Sequence, residues 1–295
     1  MNGRSLFFAS DLWVKFFFVI FTTTLLWLPS ALVAADDKPS LQQVVDRHTQ
    51  ALGGTERLSK TKSRVARGKA ELIPGRGSGL SQMSGEAVFY SKAPNKVRMD
   101  FVFGGFGVKR GYNGTEAWIK PAPPASDSAM TKAFTSLLKS GGLLHEISVY
   151  DGLIEAFQRE SDLKVKGTKK VNDIESYQLE LKQTDVTPKL FVDTASGNQI
   201  RTAFSVLYNP AANPNSAAPI GGSGGGLIGS SPMSSSGSFS SPTAFTVEID
   251  TSDYREVNGI KLPHAYSERL PFYTIKVTIL KYEENVEISD VIFNQ

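Results

Sequence analysis

Four stretches of this chain alternate large apolar with polar residues at a period of two, and that periodicity narrows its fold more than any other feature. Val97, Met99, Phe101 and Phe103 alternate with Arg98 and Asp100, and Tyr177, Leu179 and Leu181 with Gln178, Glu180 and Lys182. Phe245, Val247 and Ile249 alternate with Thr246, Glu248 and Asp250, and Ile275, Val277 and Ile279 repeat the spacing near the C-terminus. Successive side chains of a strand point to opposite faces, so each stretch predicts a strand with one buried face. Gly104-Gly105, Asn113-Gly114, Asn172-Asp173, Ser196-Gly197 and Asn258-Gly259 punctuate the pattern with residues that accept the positive φ of tight turns. The sheet is therefore expected to be largely antiparallel.

Helical spacing occurs in two places. Ser40-Leu41-Gln42-Gln43 has the form of a capping box, and Leu41, Val44, Val45, His48 and Leu52 recur at helical intervals up to the stop at Gly53-Gly54. Between Pro121 and Glu160 the alternation lapses, and Ala133, Phe134, Leu137 and Leu138, then Leu153, Ile154, Ala156 and Phe157, predict short helices inserted between strands. The expected fold class is mainly β within α+β: an incomplete antiparallel β-barrel with an N-terminal helix and inserted lid helices.

Arg4 and Lys15 precede an apolar run from Phe16 to Leu28, and Val33-Ala34-Ala35 supplies small residues before Asp36. Residues 1–35 therefore read as a signal peptide cleaved after Ala35, which predicts a periplasmic protein. The alternative is an uncleaved inner-membrane anchor, since residues 16–35 match the roughly 20 residues that span a bilayer. Residues 36–295 read as a single domain with a Gly/Ser/Pro-rich insertion over 209–243. That insertion carries no charged residue and too little apolar surface to offset chain ordering, so it is expected to be disordered.

The composition excludes several functions. No cysteine is present, which removes disulfides, thiolate catalysis, cysteine-ligated metals and lipid attachment through cysteine. A net charge of +3 with no concentrated basic field argues against nucleic acid as a partner. Gly221-Gly222-Ser223-Gly224-Gly225 formally matches a nucleophile elbow, and the run Gly224 to Gly229 a dinucleotide fingerprint, yet neither has the required preceding strand and following helix. His48, His145 and His264 lack ligand spacing, and the adjacent Glu283 and Glu284 point to opposite faces of a strand. The expectation is a non-enzyme with no catalytic residue, metal or cofactor. Lys164, Lys166, Lys169 and Lys170 read as a solvated face rather than an anionic-lipid site.

A curled antiparallel sheet covered by helices offers an apolar concavity. Its candidate lining residues are Val97, Met99, Phe101, Phe103, Trp118, Leu179, Leu181, Val247, Ile249 and Val277. The same alternation also fits side chains packed solidly against the helices, and periodicity does not separate the two.

The segment Val45–Arg64 with Ala51-Leu52-Gly53-Gly54, then Gly85-Glu86, Ala93-Pro94-Asn95-Lys96, and Gly111-Tyr112-Asn113-Gly114-Thr115 before Trp118, resembles outer-membrane lipoprotein-sorting proteins. The run from Ser252 to Pro263 fits the same group. The resemblance implies a half-open barrel like that of the periplasmic lipoprotein carrier, with acyl chains of lipids or lipoproteins as partners and a role in envelope lipoprotein sorting. The alternative function is a non-catalytic interaction or regulatory module that senses an envelope membrane protein.

Overall fold

The computed structural model describes residues 38–294 except 76–77, 79, 122–127, 141–142, 150, 159–161, 184–185 and 209–242. The expected signal segment, and the expected insertion apart from Thr243, lie outside the described residues, as do both glycine-rich motifs. Pro39–Gln295 forms one compact unit.

Helix α1 (Leu41–Leu52) begins at the capping box: the Ser40 side chain accepts from the Gln43 amide at 3.2 Å, and the Gln43 side chain accepts from the Ser40 amide at 2.8 Å. Val44, Val45, His48 and Leu52 form its buried face. Gly53 ends it at φ 119°, and a Cβ there would stand 2.4 Å from the Gly259 carbonyl oxygen. Glycine thus serves both the left-handed turn and the close approach. The chain reverses into α2 (Thr55–Lys60), whose Arg57 Nη1 donates to Gly259 O at 2.9 Å.

Among the described residues, twelve strands follow in one antiparallel sheet. They are β1 (Ser63–Pro74), β2 (Met83–Lys92), β3 (Lys96–Phe103), β4 (Phe106–Tyr112), β5 (Ala117–Lys120), β6 (Leu163–Val171), β7 (Ile174–Leu181), β8 (Lys189–Asp193), β9 (Gln199–Tyr208), β10 (Thr243–Val257), β11 (Ile260–Arg269) and β12 (Tyr273–Glu284). Their spatial order is β5-β4-β3-β2-β1-β12-β11-β10-β9-β8-β7-β6. Asn172 and Asp173 turn β6 into β7, and Asn258 and Gly259 turn β10 into β11, all four with positive φ, as two-residue hairpins require. Thr243 is already the first residue of β10 and pairs with Tyr208 of β9, so the strands flanking 209–242 are direct neighbours.

This order makes β5 and β6 the two edges of the sheet, although they are consecutive in sequence. Everything between them, including α3 (Ser128–Lys139), a 3₁₀ turn (His145–Ile147) and α4 (Gly152–Gln158), must therefore cross from one edge to the other. Helix α3 touches β4 and β5 near one edge and also β9 on the far side, which a flat sheet would not allow. The sheet is an incomplete barrel wrapped around α3. Edge β5 is only four residues long, and edge β6 carries Lys164, Lys166, Lys169 and Lys170, two devices that discourage pairing with another chain. Lys166 is paired with Glu180 at 2.6 Å. Among the described residues no helix is long and apolar enough to cross a membrane.

The concave side is a packed core. Phe134, Leu137 and Leu138 of α3 meet Phe89, Phe101, Phe204, Val247 and Tyr266 from the sheet. Phe89 lies edge-on to Phe101 and Tyr266, and Phe134 edge-on to Phe204 at 5.9 Å. Each such side chain contributes about 1.5–3 kcal/mol by leaving water. An ion pair is enclosed in the same core: Arg110 meets Glu268, Tyr266 Oη donates to Glu268 at 2.8 Å, and the guanidinium lies 4.7 Å from the Phe134 ring centre.

A C-terminal 3₁₀ turn (Asp290–Phe293) covers part of the opposite, convex face. Phe293 packs with Val65 and Ile288, Arg98 Nη1 donates to Ile292 O at 2.8 Å, and Asp290 meets Lys92 and Lys96 at 2.8 Å each.

Candidate functional site

Of the ten sequence-derived lining candidates, Val97, Met99, Phe101, Phe103, Val247, Ile249 and Val277 all belong to the packed core beneath α3. Leu179 and Leu181 join a second cluster with Val44, Val45, Leu153, Leu163, Leu190 and Val192, under α1 and α4. Trp118 is opposite Gly111, one residue out of phase with core-facing Arg110, and so lies on the convex face. Its Nε1 donates to Phe293 O at 2.7 Å, and a Cβ on Gly111 would stand 2.8 Å from its ring. None of the ten lines the cavity described next: α3 covers seven of them, α1 and α4 cover Leu179 and Leu181, and Trp118 faces the convex side.

A cavity of about 380 Å³ lies beside the barrel core, between α1, α2, α4 and the first residues of β1 and β11. Val45 and Leu52 of α1, Leu58 of α2, Ile154 and Phe157 of α4, and Ile260 and Leu262 of β11 form its apolar walls. The Gly53-Gly54 reversal creates this space, since it swings α2 onto the β10–β11 turn instead of letting α1 continue. Asp46 and Glu155 are among the polar lining residues, and Arg64, Glu146, Ser148 and Asp151 line it on the side of the 3₁₀ turn.

Those last residues belong to a buried polar network. Arg64 is 2% exposed; its Nη2 donates to Glu284 at 2.9 Å and its Nη1 to the main-chain carbonyls of Glu146 and Ser148 at 2.8 and 2.9 Å. The Glu146 carboxylate accepts from the Gln199 amide at 3.1 Å and from Tyr254 Oη at 2.9 Å. Burial pushes the Glu146 carboxyl up to about 7, against the pull of the nearby His48 charge. His145, at φ 46°, places its ring nitrogens 3.1 Å from Thr251 Oγ1 and 2.9 Å from Thr202 Oγ1, and burial lowers its pKa to about 4.

His48 is wholly enclosed. Its Nδ1 lies 2.9 Å from Gly197 O and its Nε2 3.0 Å from Asp151 Oδ2, with Glu146 Oε1 3.8 Å away. A carbonyl on one side and a carboxylate on the other are both acceptors, so the ring satisfies both only when each nitrogen carries a proton. Burial opposes that charge, but the charge and hydrogen bond of Asp151, with the charge of Glu146, outweigh it and hold His48 up at about 9. Burial likewise works against ionised Asp151, yet His48 and two amides hold its carboxyl below the usual range. Those amides belong to Leu153 and Ile154, so Asp151 also caps α4.

Sequence reasoning missed this network. His48, Glu146 and Asp151 come from α1, the 3₁₀ turn and the start of α4, so topology and not spacing along the chain brings them together. The only local signal was Asp151 in the N-cap position before an apolar helical run.

No protein-family model matches the chain, and no curated protein sequence does. Solved structures similar to it include a LolA superfamily protein of Nitrosomonas europaea, at 10% identity over 87% of this chain and 98% of that one, TM-score 0.48. Others are a DUF1329 family protein of Desulfovibrio piger (13% identity, 86% and 97% covered, TM-score 0.46) and an outer membrane lipoprotein-sorting protein domain of Vibrio parahaemolyticus (9%, 86% and 97%, 0.45). At these identities and TM-scores the likeness assigns this chain neither a family nor any residue a role.

Proposed function

We propose that this chain is an exported, non-catalytic binding protein of the cell envelope that takes up one long apolar chain, of the kind carried by lipids and acylated proteins. The observation that carries the reading is the cavity between α1, α2, α4 and β11, apolar on the side of Leu58, Ile154, Phe157 and Ile260 and polar on the side of the 3₁₀ turn. Its volume of about 380 Å³ falls in the lower part of the roughly 300–1,000 Å³ usual for small-molecule sites. A dozen methylenes buried at about 0.8 kcal/mol each supply on the order of 10 kcal/mol before ordering costs, so useful affinity needs no catalytic or charged group. The apolar run before Val33-Ala34-Ala35 supports export, and the resemblance to lipoprotein-sorting proteins supports acyl chains as the ligand class.

The test is mass spectrometry of the organic extract of the purified chain, together with titration by a fluorescent fatty acid. Recovery of a co-purifying acyl lipid and saturable probe binding are expected. A stable complex with an envelope protein, free of lipid and without probe binding, would instead identify an interaction module.

A further inference from the structure

Three side chains from three separate elements present one ligand atom each to a common point: His48 Nε2 on α1, Glu146 Oε1 on the 3₁₀ turn and Asp151 Oδ2 at the start of α4. All three atoms lie within 4.8 Å of one another. We propose that they bind one divalent transition-metal cation, for which Zn²⁺ is the best match, beside the apolar cavity.

Two of the three ligand-atom separations need little adjustment, and the third, between the Glu146 and Asp151 oxygens, is within 4.8 Å. Zinc bonds to nitrogen and oxygen are about 2.0–2.2 Å, so tetrahedral ligand atoms stand about 3.3 Å apart. The Nε2–Oδ2 and Nε2–Oε1 separations are 3.0 and 3.8 Å, so one opens and the other closes by a few tenths of an ångström. Each ligand is also held from behind. His48 Nδ1 faces Gly197 O, Asp151 Oδ1 accepts the Leu153 and Ile154 amides, and Glu146 Oε2 accepts from Tyr254. Such outer contacts orient metal ligands. Glu146 Oε1 also accepts the Gln199 amide and retains a second lone pair.

Charge and access point the same way. The guanidinium of Arg64 directs its side-chain ion pairing to Glu284 and reaches Glu146 only through its main-chain carbonyl. Two carboxylates and a neutral imidazole carry a charge of two that a divalent cation cancels; on binding, the Nε2 proton of His48 leaves to solvent and its lone pair takes the metal. The set of one imidazole and two carboxylates suits borderline to hard first-row ions. Glu146 and Asp151 line the cavity, which provides the ion with an entry path and space for a water as a further ligand.

The experiment is calorimetric titration of the chelator-treated, purified chain with ZnCl₂, MnCl₂ and MgCl₂, paired with the visible spectrum of the Co²⁺ form. One equivalent is expected to bind, with Zn²⁺ tighter than Mn²⁺ and Mn²⁺ tighter than Mg²⁺. Glu146→Gln and Asp151→Asn preserve the hydrogen bonds to Tyr254 and to the α4 amides, and each should weaken Zn²⁺ binding more than tenfold and remove the Co²⁺ bands. Tyr254→Phe removes the outer contact to Glu146, along with the hydroxyl's bonds to Gln199 O and Thr251 Oγ1, while leaving all three ligands in place, and should weaken binding about 10–100-fold, which keeps the test decisive if a ligand variant fails to fold. His264→Gln should change nothing. Absence of stoichiometric Zn²⁺ binding by the folded chain, or binding that survives the Glu146, Asp151 and Tyr254 substitutions, overturns the site and leaves a purely structural ion pair.

Discussion

His48 and Asp151 stand 103 residues apart in the chain, yet Nε2 of one and Oδ2 of the other meet at 3.0 Å in the interior. Since the same ring also faces Gly197 O, one imidazole joins α1, the start of α4 and the β8–β9 turn. Arg47, the preceding residue, reinforces this by donating to Thr194 O in the same turn. The helical layer over the second apolar cluster is thereby fixed by polar contacts at its edge, and it is this layer that walls the cavity.

Asp151 serves His48 and the α4 cap together, so its replacements should separate the two roles. Asp151→Ala leaves a buried imidazolium without its partner and is expected to cost roughly 3–5 kcal/mol, with a further ~1 kcal/mol for the lost cap. Asp151→Asn retains the cap and should cost clearly less. Urea unfolding of both variants checks this, and equal losses would contradict it.

The Arg110–Glu268 pair beneath α3 is expected to behave asymmetrically. Glu268→Ala strands a guanidinium against Phe101 and Phe134 and should cost about 3–5 kcal/mol. Replacing both residues by apolar ones of similar size, as in Arg110→Met with Glu268→Leu, should be close to neutral or stabilising. The double-mutant cycle measures the difference, and additive losses would show that the pair is not the unit.

Replacing residues 209–242 with Asn-Gly should leave the fold intact, because Tyr208 and Thr243 are already cross-strand partners and Asn-Gly suits a two-residue hairpin. Loop shortening changes closure entropy by only about 0.6 kcal/mol per halving. Thermal unfolding checks it: a midpoint that falls sharply would mean that the deleted segment packs into the barrel.

Asp290, paired with Lys92 and Lys96, is held down at about 2 by its hydrogen bonds to both lysines. A depressed carboxylate adds stability that is present above its unfolded value near 4 and is lost as pH falls through 2. Wild type and Asp290→Asn should therefore differ in stability above pH 4 and converge toward pH 2. The site is exposed, so the difference is small and should shrink with added salt.

Much of the fold was legible because its determinants are local. Val97 to Phe103 and Phe245 to Asp250 declare strands through period two, and Asn172-Asp173 and Asn258-Gly259 declare their turns through the φ values they tolerate. Alternation marks which face is buried but not what buries it, so Phe101 and Val247 read equally well as cavity lining or as the bed of α3. Trp118 misled for a related reason: the convex face also has an apolar cover, the turn carrying Phe293, which lies 175 residues away. His48, Glu146 and Asp151, like Arg110 and Glu268, are joined by topology alone, and no spacing along the chain announces them.

Binding of a fluorescent long-chain fatty acid to the wild type, to cavity-filling Ile154→Trp and Leu58→Trp, and to core variant Phe101→Asp tests the account most directly. The wild type should bind saturably, the two tryptophan variants should keep their circular dichroism and lose at least tenfold in affinity, and Phe101→Asp should unfold, because it buries an unpaired charge. A wild type that binds no probe, or tryptophan variants that bind as well as it does, would contradict the account.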